Sequence, residues 1–282
     1  MMISLKNNDL TADISTRGAE LMSLYRNGRE YLWNGDPSWW ASRAPLLFPI
    51  CGSVKDDSYT HAGQKYDLPK HGFVRFKEFS VEYSDEASAG FLLLSDDETK
   101  AAYPFDFELR LIYRLNDTGI DITYSVRNTS SVPMYYSIGA HEGFACPGGI
   151  ENYDVIFAET ETLDATVLSG PLLSDSKYRI LTNERVLPLK DEYFITDALV
   201  FEQLKSGAVE LKDRRDGTSV KVDFEGFPHL LLWTKPGAPY ICIEPWCGLP
   251  DSTDANGDIS VKRSINKLAP GMTKEHIHSI II

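Results

Sequence analysis

The strongest constraint in this sequence is an alternation of apolar and polar residues with a period of two. Every second residue from Phe107 to Leu115 is apolar, and the alternation resumes from Ile120 to Val126 after a short polar connection. Successive side chains of a β-strand point to opposite faces, so the pattern predicts two strands that each bury one face. The short connection predicts that the two strands form an antiparallel hairpin.

A second hairpin is predicted around Asp216-Gly217, which lies between two more alternating segments. Asp-Gly between such segments is a strong signal for a tight hairpin turn. Further strand candidates are residues 3–6, 11–15, 20–26, 31–33, 79–83, 90–94, 230–234, 240–246 and 276–282. Sustained helical periodicity is nearly absent, and no Pro/Ser-rich linker divides the chain. We therefore predict an all-β protein, a large antiparallel β-sandwich that forms a single domain over residues 1–282.

Charge and composition narrow the class of partner. The chain has 41 acidic and 28 basic residues, a formal net charge of −13. Such a surface repels phosphate backbones and anionic lipid, so we expect neither a nucleic acid nor a membrane as partner. No segment approaches the about 20 apolar residues that span a bilayer, and the N-terminal residues do not read as a secretory signal. Free cysteines in a cytoplasmic protein are the simplest interpretation of the four thiols.

Two histidines lie in informative segments. His71 precedes a glycine, which permits close backbone approach to a ligand, although a turn histidine is the structural alternative. His141 follows an apolar run and precedes a Gly-rich loop, where strands often display catalytic side chains. A histidine that is simply satisfied at a strand end is the alternative there.

Glu244 is the most informative acid, because a strand over 240–246 would place Tyr240, Cys242, Glu244 and Trp246 on one face. A carboxylate on such a face must be paired or have a raised pKa. A raised pKa suits a general base near neutral pH, whereas a structural glutamate held by an arginine is the alternative. Trp246 would provide an aromatic platform for a sugar.

Arg43 and the pair His276 and His278 have less certain roles. Arg43 precedes a long apolar stretch and is either a substrate clamp or a surface charge. His276 and His278 would share a strand face, but no third metal ligand is near them in sequence. The sequence also lacks Gly-x-Ser-x-Gly, a Gly-rich phosphate loop and Gly-x-Gly-x-x-Gly, the motifs of serine hydrolases, P-loop kinases and nicotinamide enzymes.

Taken together and in order, six segments resemble the aldose 1-epimerase family, the galactose mutarotase-like proteins. They are Gly18-Ala19-Glu20-Leu21, Arg43-x-Pro45 to Phe48-Pro49-x-x-Gly52, His71-Gly72-Phe73, Tyr103-Pro104-Phe105, Gly139-x-His141-x-x-Phe144 and Glu244-Pro245-Trp246. The chain looks most similar to the smaller, divergent bacterial branch associated with lactose and galactose use.

The resemblance implies a β-supersandwich with a sugar-binding cleft, Glu244 as general base and His141 as general acid. It further implies that Arg43 and His71 bind the sugar, with Asp197 as the best candidate for an aspartate that binds sugar hydroxyls. Trp246 and Phe73 would stack on the apolar face of the sugar. No metal or organic cofactor is expected. The partner would be a small-molecule sugar, and the chain would act as a monomer or homodimer.

The residue chemistry agrees with such an isomerase, since opening a pyranose requires a base at the anomeric hydroxyl and an acid at the ring oxygen. One departure from the family is Glu142, where proline is more common. An acid there either raises the pKa of His141 or points to solvent. Two other functions stay open: an epimerase of hexose 6-phosphates, with Arg43, Lys70 and Arg75 forming the phosphate pocket, and a sugar-binding or regulatory protein without catalysis.

Overall fold

The computed structural model describes residues 1–282, in strands β1 to β22, one α-helix and five short 3-10 helices. The first eleven strands are β1 (Met2–Asn7), β2 (Leu10–Ser15), β3 (Leu21–Arg26), β4 (Arg29–Glu30), β5 (Ser58–His61), β6 (Gln64–Asp67), β7 (Ser80–Ser84), β8 (Ser88–Leu94), β9 (Phe107–Leu115), β10 (Gly119–Asn128) and β11 (Met134–Tyr136). The remaining strands are β12 (Ile138–Gly139), β13 (Glu142–Ala145), β14 (Tyr153–Ser169), β15 (Leu172–Pro188), β16 (Leu199–Glu202), β17 (Ala208–Asp213), β18 (Ser219–Asp223), β19 (His229–Trp233), β20 (Tyr240–Cys247), β21 (Asn266–Leu268) and β22 (Thr273–Ile281).

The helices are few and short. The α-helix α1 spans Asp97–Ala102, and the 3-10 helices span Lys55–Asp57, Val74–Phe76, Ile150–Asn152, Asp191–Phe194 and Ile259–Val261. Asp96 caps α1, because its side chain accepts a hydrogen bond from the Thr99 backbone and its own N–H is bonded by the Thr99 side chain. No helix has both the length and the apolar character required to cross a lipid bilayer.

One large antiparallel sheet dominates the fold. Its strand order is β12–β20–β19–β16–β14–β17–β18–β22–β10–β9–β8–β7, with β13 paired to β20 and β15 paired to β14. The N-terminal strands β1 to β4 form a separate sheet, and their side chains, such as Leu5 and Ile14, join those of the large sheet in one buried apolar cluster. The Tyr113 hydroxyl on β9 donates to the Ala19 carbonyl at 2.6 Å across this junction. The predicted all-β sandwich is confirmed.

Both predicted hairpins are present. Strands β9 and β10 pair Leu115 with Ile120, and every second residue of β9 from Phe107 is buried in the core. Strands β17 and β18 pair Val209 with Val222 around the Asp216-Gly217 turn. The alternation was informative because each of these strands has one face toward solvent and one face toward the core.

Two parts of the fold differ from expectation. The prediction of a strand at 31–33 is wrong, since only Leu32 forms an isolated bridge, to Phe144. The long hairpin of β14 and β15 was not predicted, because most of β15 is exposed and carries no alternation of apolar residues. Leu168 and Pro171, at the tip of this hairpin, line the wall of a cavity.

Candidate active site

The main cavity of the protein has a volume of about 460 Å³. A volume of this size is typical of small-molecule sites. Five of the predicted site residues line it: His71, His141, Asp197, Glu244 and Trp246. These residues come from four distant parts of the chain, so the fold assembles the cavity.

Strand β20 supplies the floor of the cavity. It is buried along its whole length between β19 on one side and β12 and β13 on the other. Ile241 and Ile243 point into the main core, whereas Tyr240 and Cys242 pack with a group of tryptophans on the opposite face. Glu244 shares that second face and opens into the cavity. The predicted arrangement of alternate residues on β20 therefore agrees with the structure.

His141 and Glu244 are in direct contact at this floor. Nε2 of His141 lies 3.4 Å from Oε2 of Glu244, and the two side chains are only 10% and 2% exposed. The ring of Trp40 stacks on the imidazole at 5.0 Å between centroids, and Trp233 meets it edge-on. The pair is thus a proton donor and acceptor set that is shielded from bulk water on the protein side.

Burial shifts the pKa of each group in this pair in the direction that favours its neutral form. It lowers the pKa of His141 to about 3, and the positive charges of Lys70 and Arg75 add to this effect. Burial also raises the pKa of Glu244 well above its usual range, because a low-dielectric environment disfavours the charged form of either group. Burial by itself therefore places one shared proton on Glu244 and leaves His141 neutral.

His71 is held in one tautomer by the loop that precedes it in sequence. The backbone N–H of Gly52 donates to the ring Nδ1 of His71 at 3.1 Å. The backbone N–H of His71 donates in return to the Gly52 carbonyl at 2.7 Å. Burial lowers the pKa of His71 well below its ordinary value. A neutral ring that accepts at Nδ1 carries its proton on Nε2, so His71 is a hydrogen-bond donor at that nitrogen.

The glycine after His71 is required by the backbone and not by a ligand. Gly72 has a φ of +68°, and a Cβ added there would lie 2.1 Å from the Phe48 carbonyl oxygen. The close approach inferred from the His-Gly sequence exists, but it is an approach to the backbone of Phe48. This packing fixes where the His71 ring lies.

Trp246 and Asp197 form other parts of the wall. The Trp246 indole N–H donates to the Ala140 carbonyl at 3.0 Å, which ties β20 to the segment that carries His141. Trp246 also lies edge-on to His71, with centroids 5.6 Å apart. The Asp197 carboxylate accepts the Ala198 N–H at 2.8 Å, and its negative charge is one of the causes that raise the pKa of Glu244.

The structure does not bring Arg43 or Phe73 to the cavity wall. The Arg43 guanidinium donates to the Met22 carbonyl and lies beside Gly35. Phe73 is half-buried and packs against the main core. These positions do not fit the expected roles as sugar ligand and stacking platform. The sequence showed only that a charge precedes an apolar stretch and that an aromatic follows His-Gly, and neither pattern determines where a side chain points.

The site contains several residues for which sequence reasoning gave no sugar-binding role. They are Trp40, Trp233, Lys70, Arg75 and Lys235. The sequence suggests Lys70 and Arg75 only as parts of a phosphate pocket. The adjacent tryptophans at positions 39 and 40 were the one available signal, since two indoles in a polar loop often mark a ligand surface.

Glu142 neither raises the pKa of His141 nor points to solvent, the two alternatives expected from the sequence. Its Oε1 lies 3.0 Å from Nε2 of His278 inside the core, and both side chains are almost completely buried. The pKa of His141 is lowered and not raised.

His276, on the same strand as His278, has other partners: Tyr136 Oη at 3.0 Å and Cys247 Sγ at 3.2 Å. The two histidines of β22 are thus partnered separately.

Comparisons with known proteins agree with this geometry. A family model described as Aldose 1-epimerase matches residues 1–275. Protein LacX (plasmid) of Lactococcus lactis subsp. lactis is 36% identical over 297 residues, covering 100% of this chain and 99% of that protein. The structure of a galactose mutarotase related enzyme from Lactobacillus acidophilus has a TM-score of 0.95 at 33% identity and covers 100% of this chain and 97% of that chain. A galactose mutarotase-like protein from Lactobacillus casei ATCC 334 has a TM-score of 0.95 at 27% identity, covering 100% and 99%.

Proposed function

The chain belongs to the aldose 1-epimerase family, and on that premise we propose that it is an isomerase that interconverts the α and β anomers of a free aldose. The observation that carries the proposal is the contact of 3.4 Å between His141 Nε2 and Glu244 Oε2 on the floor of the cavity. An acid and a base held this closely suit a reaction that takes a proton from one oxygen and gives a proton to another, where both oxygens are bonded to the same carbon.

The geometry suits ring opening at the anomeric carbon. One proton must leave the anomeric hydroxyl, and another must reach the ring oxygen. Both oxygens are bonded to the same carbon, so two groups within contact of each other can serve both. Glu244 removes the hydroxyl proton and His141 protonates the ring oxygen. After the aldehyde rotates, the pair closes the ring with reversed roles. Each positioned group of this kind contributes about 10²–10⁴-fold to the rate.

The starting protonation state follows from burial. In the absence of a sugar, the shared proton belongs on Glu244, because the pKa of Glu244 is raised and that of His141 is lowered. Transfer of that proton to His141 creates the base and the acid together without changing the total charge of the pair. A sugar hydroxyl that donates to Glu244 stabilises the carboxylate form, so substrate binding favours the reactive tautomer.

The other wall residues orient the sugar. His71 offers the N–H at Nε2 to a sugar oxygen, and we assign this donor to the ring oxygen, where negative charge would otherwise develop. Asp197, which lines the cavity, accepts from sugar hydroxyls. Trp246 and Trp40 provide apolar surface for the C–H face of the ring.

Polarimetry tests the proposal directly. The mutarotation of α-D-galactose and α-D-glucose at neutral pH is followed with the wild-type protein, Glu244→Gln and the control Glu275→Gln, which changes an exposed carboxylate on β22. We expect the wild type and the control to accelerate mutarotation, and Glu244→Gln to lose at least about 100-fold of that acceleration. Galactose is the first sugar to test because the Lactobacillus acidophilus relative is described as a galactose mutarotase related enzyme. Absence of acceleration by the wild type would contradict the proposal.

A second candidate, an epimerase of hexose 6-phosphates, is favoured by the charges of the wall. Lys70, Arg75 and Lys235 all line the cavity, although the whole chain carries a net charge of −13. Arg75 is partly buried, and its Nε has no hydrogen-bond partner. A phosphate would supply the missing acceptor for this guanidinium.

Exchange NMR separates the two candidates, because it measures anomer exchange of free and phosphorylated sugars in the same way. A phosphate-specific enzyme would exchange glucose 6-phosphate or galactose 6-phosphate faster than the free sugars. Arg75→Gln would then raise the KM for the phosphorylated sugar alone. Equal effects of Arg75→Gln on both substrates would count against a phosphate site.

A further inference from the structure

His141, Cys242 and Glu244 form a buried cluster of three different metal-ligating groups. One ligand atom of each residue can be chosen so that all three atoms lie within 4.8 Å of one another. Cys242 and Glu244 are alternate residues on the same face of β20, and His141 is in contact with the Glu244 carboxylate. The cluster therefore lies at the floor of the cavity, with Cys242 behind the pair on the protein side.

These ligand atoms have few competing partners. The Glu244 carboxylate receives no hydrogen bond from the chain apart from its contact with His141. Nδ1 of His141 is buried and unpartnered, and the Cys242 thiol is completely buried. A metal ion would therefore not have to break an existing network of hydrogen bonds in order to bind.

The ligand types select the kind of ion. A thiolate, an imidazole and a carboxylate favour Zn²⁺ and similar thiophilic cations over Mg²⁺ and Ca²⁺, which prefer oxygen ligands. Three protein ligands with one open position are also the usual set at accessible zinc sites. Bond lengths of about 2.0–2.3 Å require the three atoms to move slightly closer together around a single ion.

We propose that His141, Cys242 and Glu244 bind a thiophilic divalent cation such as Zn²⁺, and that this ion inhibits the enzyme by occupying the acid–base pair. On binding, the S–H bond of Cys242 breaks and its proton is released to solvent together with the proton shared by His141 and Glu244. The ion forms bonds to sulfur, nitrogen and oxygen, and no electron is transferred. Only the inhibitory consequence rests on the proposed function; the binding itself does not.

Cys247 and His276 provide a contrast within the same protein. Their Sγ and Nδ1 atoms lie 3.2 Å apart, but Nε2 of His276 already contacts Tyr136, and neither residue lines the cavity. Cys247 and His276 belong to no group of three metal-ligating side chains, because no carboxylate lies beside them as a third ligand. The pair is therefore a matched control for a buried thiol beside an imidazole.

Cobalt titration tests the proposal. Protein freed of metal with EDTA is titrated with Co²⁺ under reducing conditions, and the thiolate-to-cobalt absorption band is followed before Zn²⁺ is added in competition. We expect one Co²⁺ per chain and the same band in Cys247→Ser, but no band in Cys242→Ser. The Zn²⁺ affinity of Cys242→Ser should fall at least about tenfold, since even loss of an outer-shell partner costs 10–100-fold. An unchanged band or affinity in Cys242→Ser would overturn the proposal.

A measurement on the wild type alone covers the case in which Cys242→Ser does not fold. The cadmium-113 NMR shift of bound Cd²⁺ distinguishes a mixed sulfur, nitrogen and oxygen set from oxygen ligands only. A shift typical of oxygen ligands, or no bound resonance, would overturn the site. Zn²⁺ should also slow sugar mutarotation while Mg²⁺ does not, with recovery on adding EDTA. If no sugar is a substrate but the cobalt band is present, the proposed function fails and the metal site stands.

Discussion

The adjacent side chains of His141 and Glu142 face opposite sides of the sheet, so that His141 lines the cavity while Glu142 bonds to His278 in the core. Strand alternation produces this arrangement, because successive side chains point to opposite faces. The backbone that presents the His141 imidazole to the cavity is therefore anchored directly behind it. Tyr124 stacks on the His278 ring at 5.5 Å and closes the other side of this anchor.

Loss of the Glu142 carboxylate should destabilise the fold. Glu142→Ala leaves the buried Nε2 of His278 without its hydrogen-bond partner, and an unsatisfied buried polar group costs about 1–3 kcal/mol. We expect the free energy of unfolding, measured by urea denaturation, to fall by this amount. Glu275→Ala on the exposed face of β22 is the control and should change it little. A loss for Glu142→Ala no larger than that of the control would show that the pair contributes no stability.

Replacement of Gly72 should be far more damaging than replacement of a comparable glycine. Gly63 and Gly72 both have a positive φ, of +80° and +68°, but only Gly72 has the Phe48 carbonyl in the path of a Cβ. Gly63→Ala should cost about 1–2 kcal/mol for the left-handed backbone alone. Gly72→Ala should cost more and should reduce catalysis, because His71 must move. Thermal unfolding and polarimetry measure the two effects, and equal losses of stability for the two variants would contradict this expectation.

His141→Asn should retain the fold and lose activity. The substitution keeps a polar side chain of smaller size but removes the imidazole that contacts Glu244 and that we propose as the general acid. We expect kcat to fall by about 10²–10⁴-fold, the usual contribution of general acid catalysis. His61→Asn, outside the cavity wall, should keep the wild-type rate. Activity in His141→Asn close to that of the wild type would assign the proton transfer to another residue, and His71 would be examined next.

The stability of the protein should decline as the pH falls from about 6.5 to about 4. Burial lowers the pKa of both His229 and His276 to about 4, whereas an unfolded histidine titrates near 6.5. In this window the unfolded chain binds more protons than the folded chain, so acid favours unfolding. Each histidine contributes on the order of 3 kcal/mol to the decline, at about 1.4 kcal/mol per pKa unit.

Urea denaturation at a series of pH values measures this decline. His276→Asn removes one of the buried histidines with a lowered pKa, so its unfolding free energy should depend less steeply on pH than that of the wild type. A wild-type stability that stays constant between pH 6.5 and 4.5 would contradict the assignment of buried neutral histidines.

Strands were predicted correctly from the sequence where one face of the strand packs on the core and the other faces solvent. The period-two pattern of β9 and β10 predicted their antiparallel pairing, and the same reasoning placed Glu244 and Trp246 on one face of β20. It failed for β15, because a strand that is exposed on both faces has no hydrophobic pattern to read.

The local sequence around five of the candidate site residues predicted side chains that the structure places in the cavity wall. The direction of a side chain depends on contacts with residues that are distant in the chain. Arg43 turns toward Met22 because that carbonyl is available there, while Arg75, which had seemed less important for a sugar, reaches the cavity wall. The covalent order of the residues thus determined the alternating strands and the presence of a histidine and a glutamate among the candidate site residues. Only tertiary packing decided that His141 and Glu244 touch, that both side chains are largely buried at the cavity, and that Glu142 lies behind them in the core.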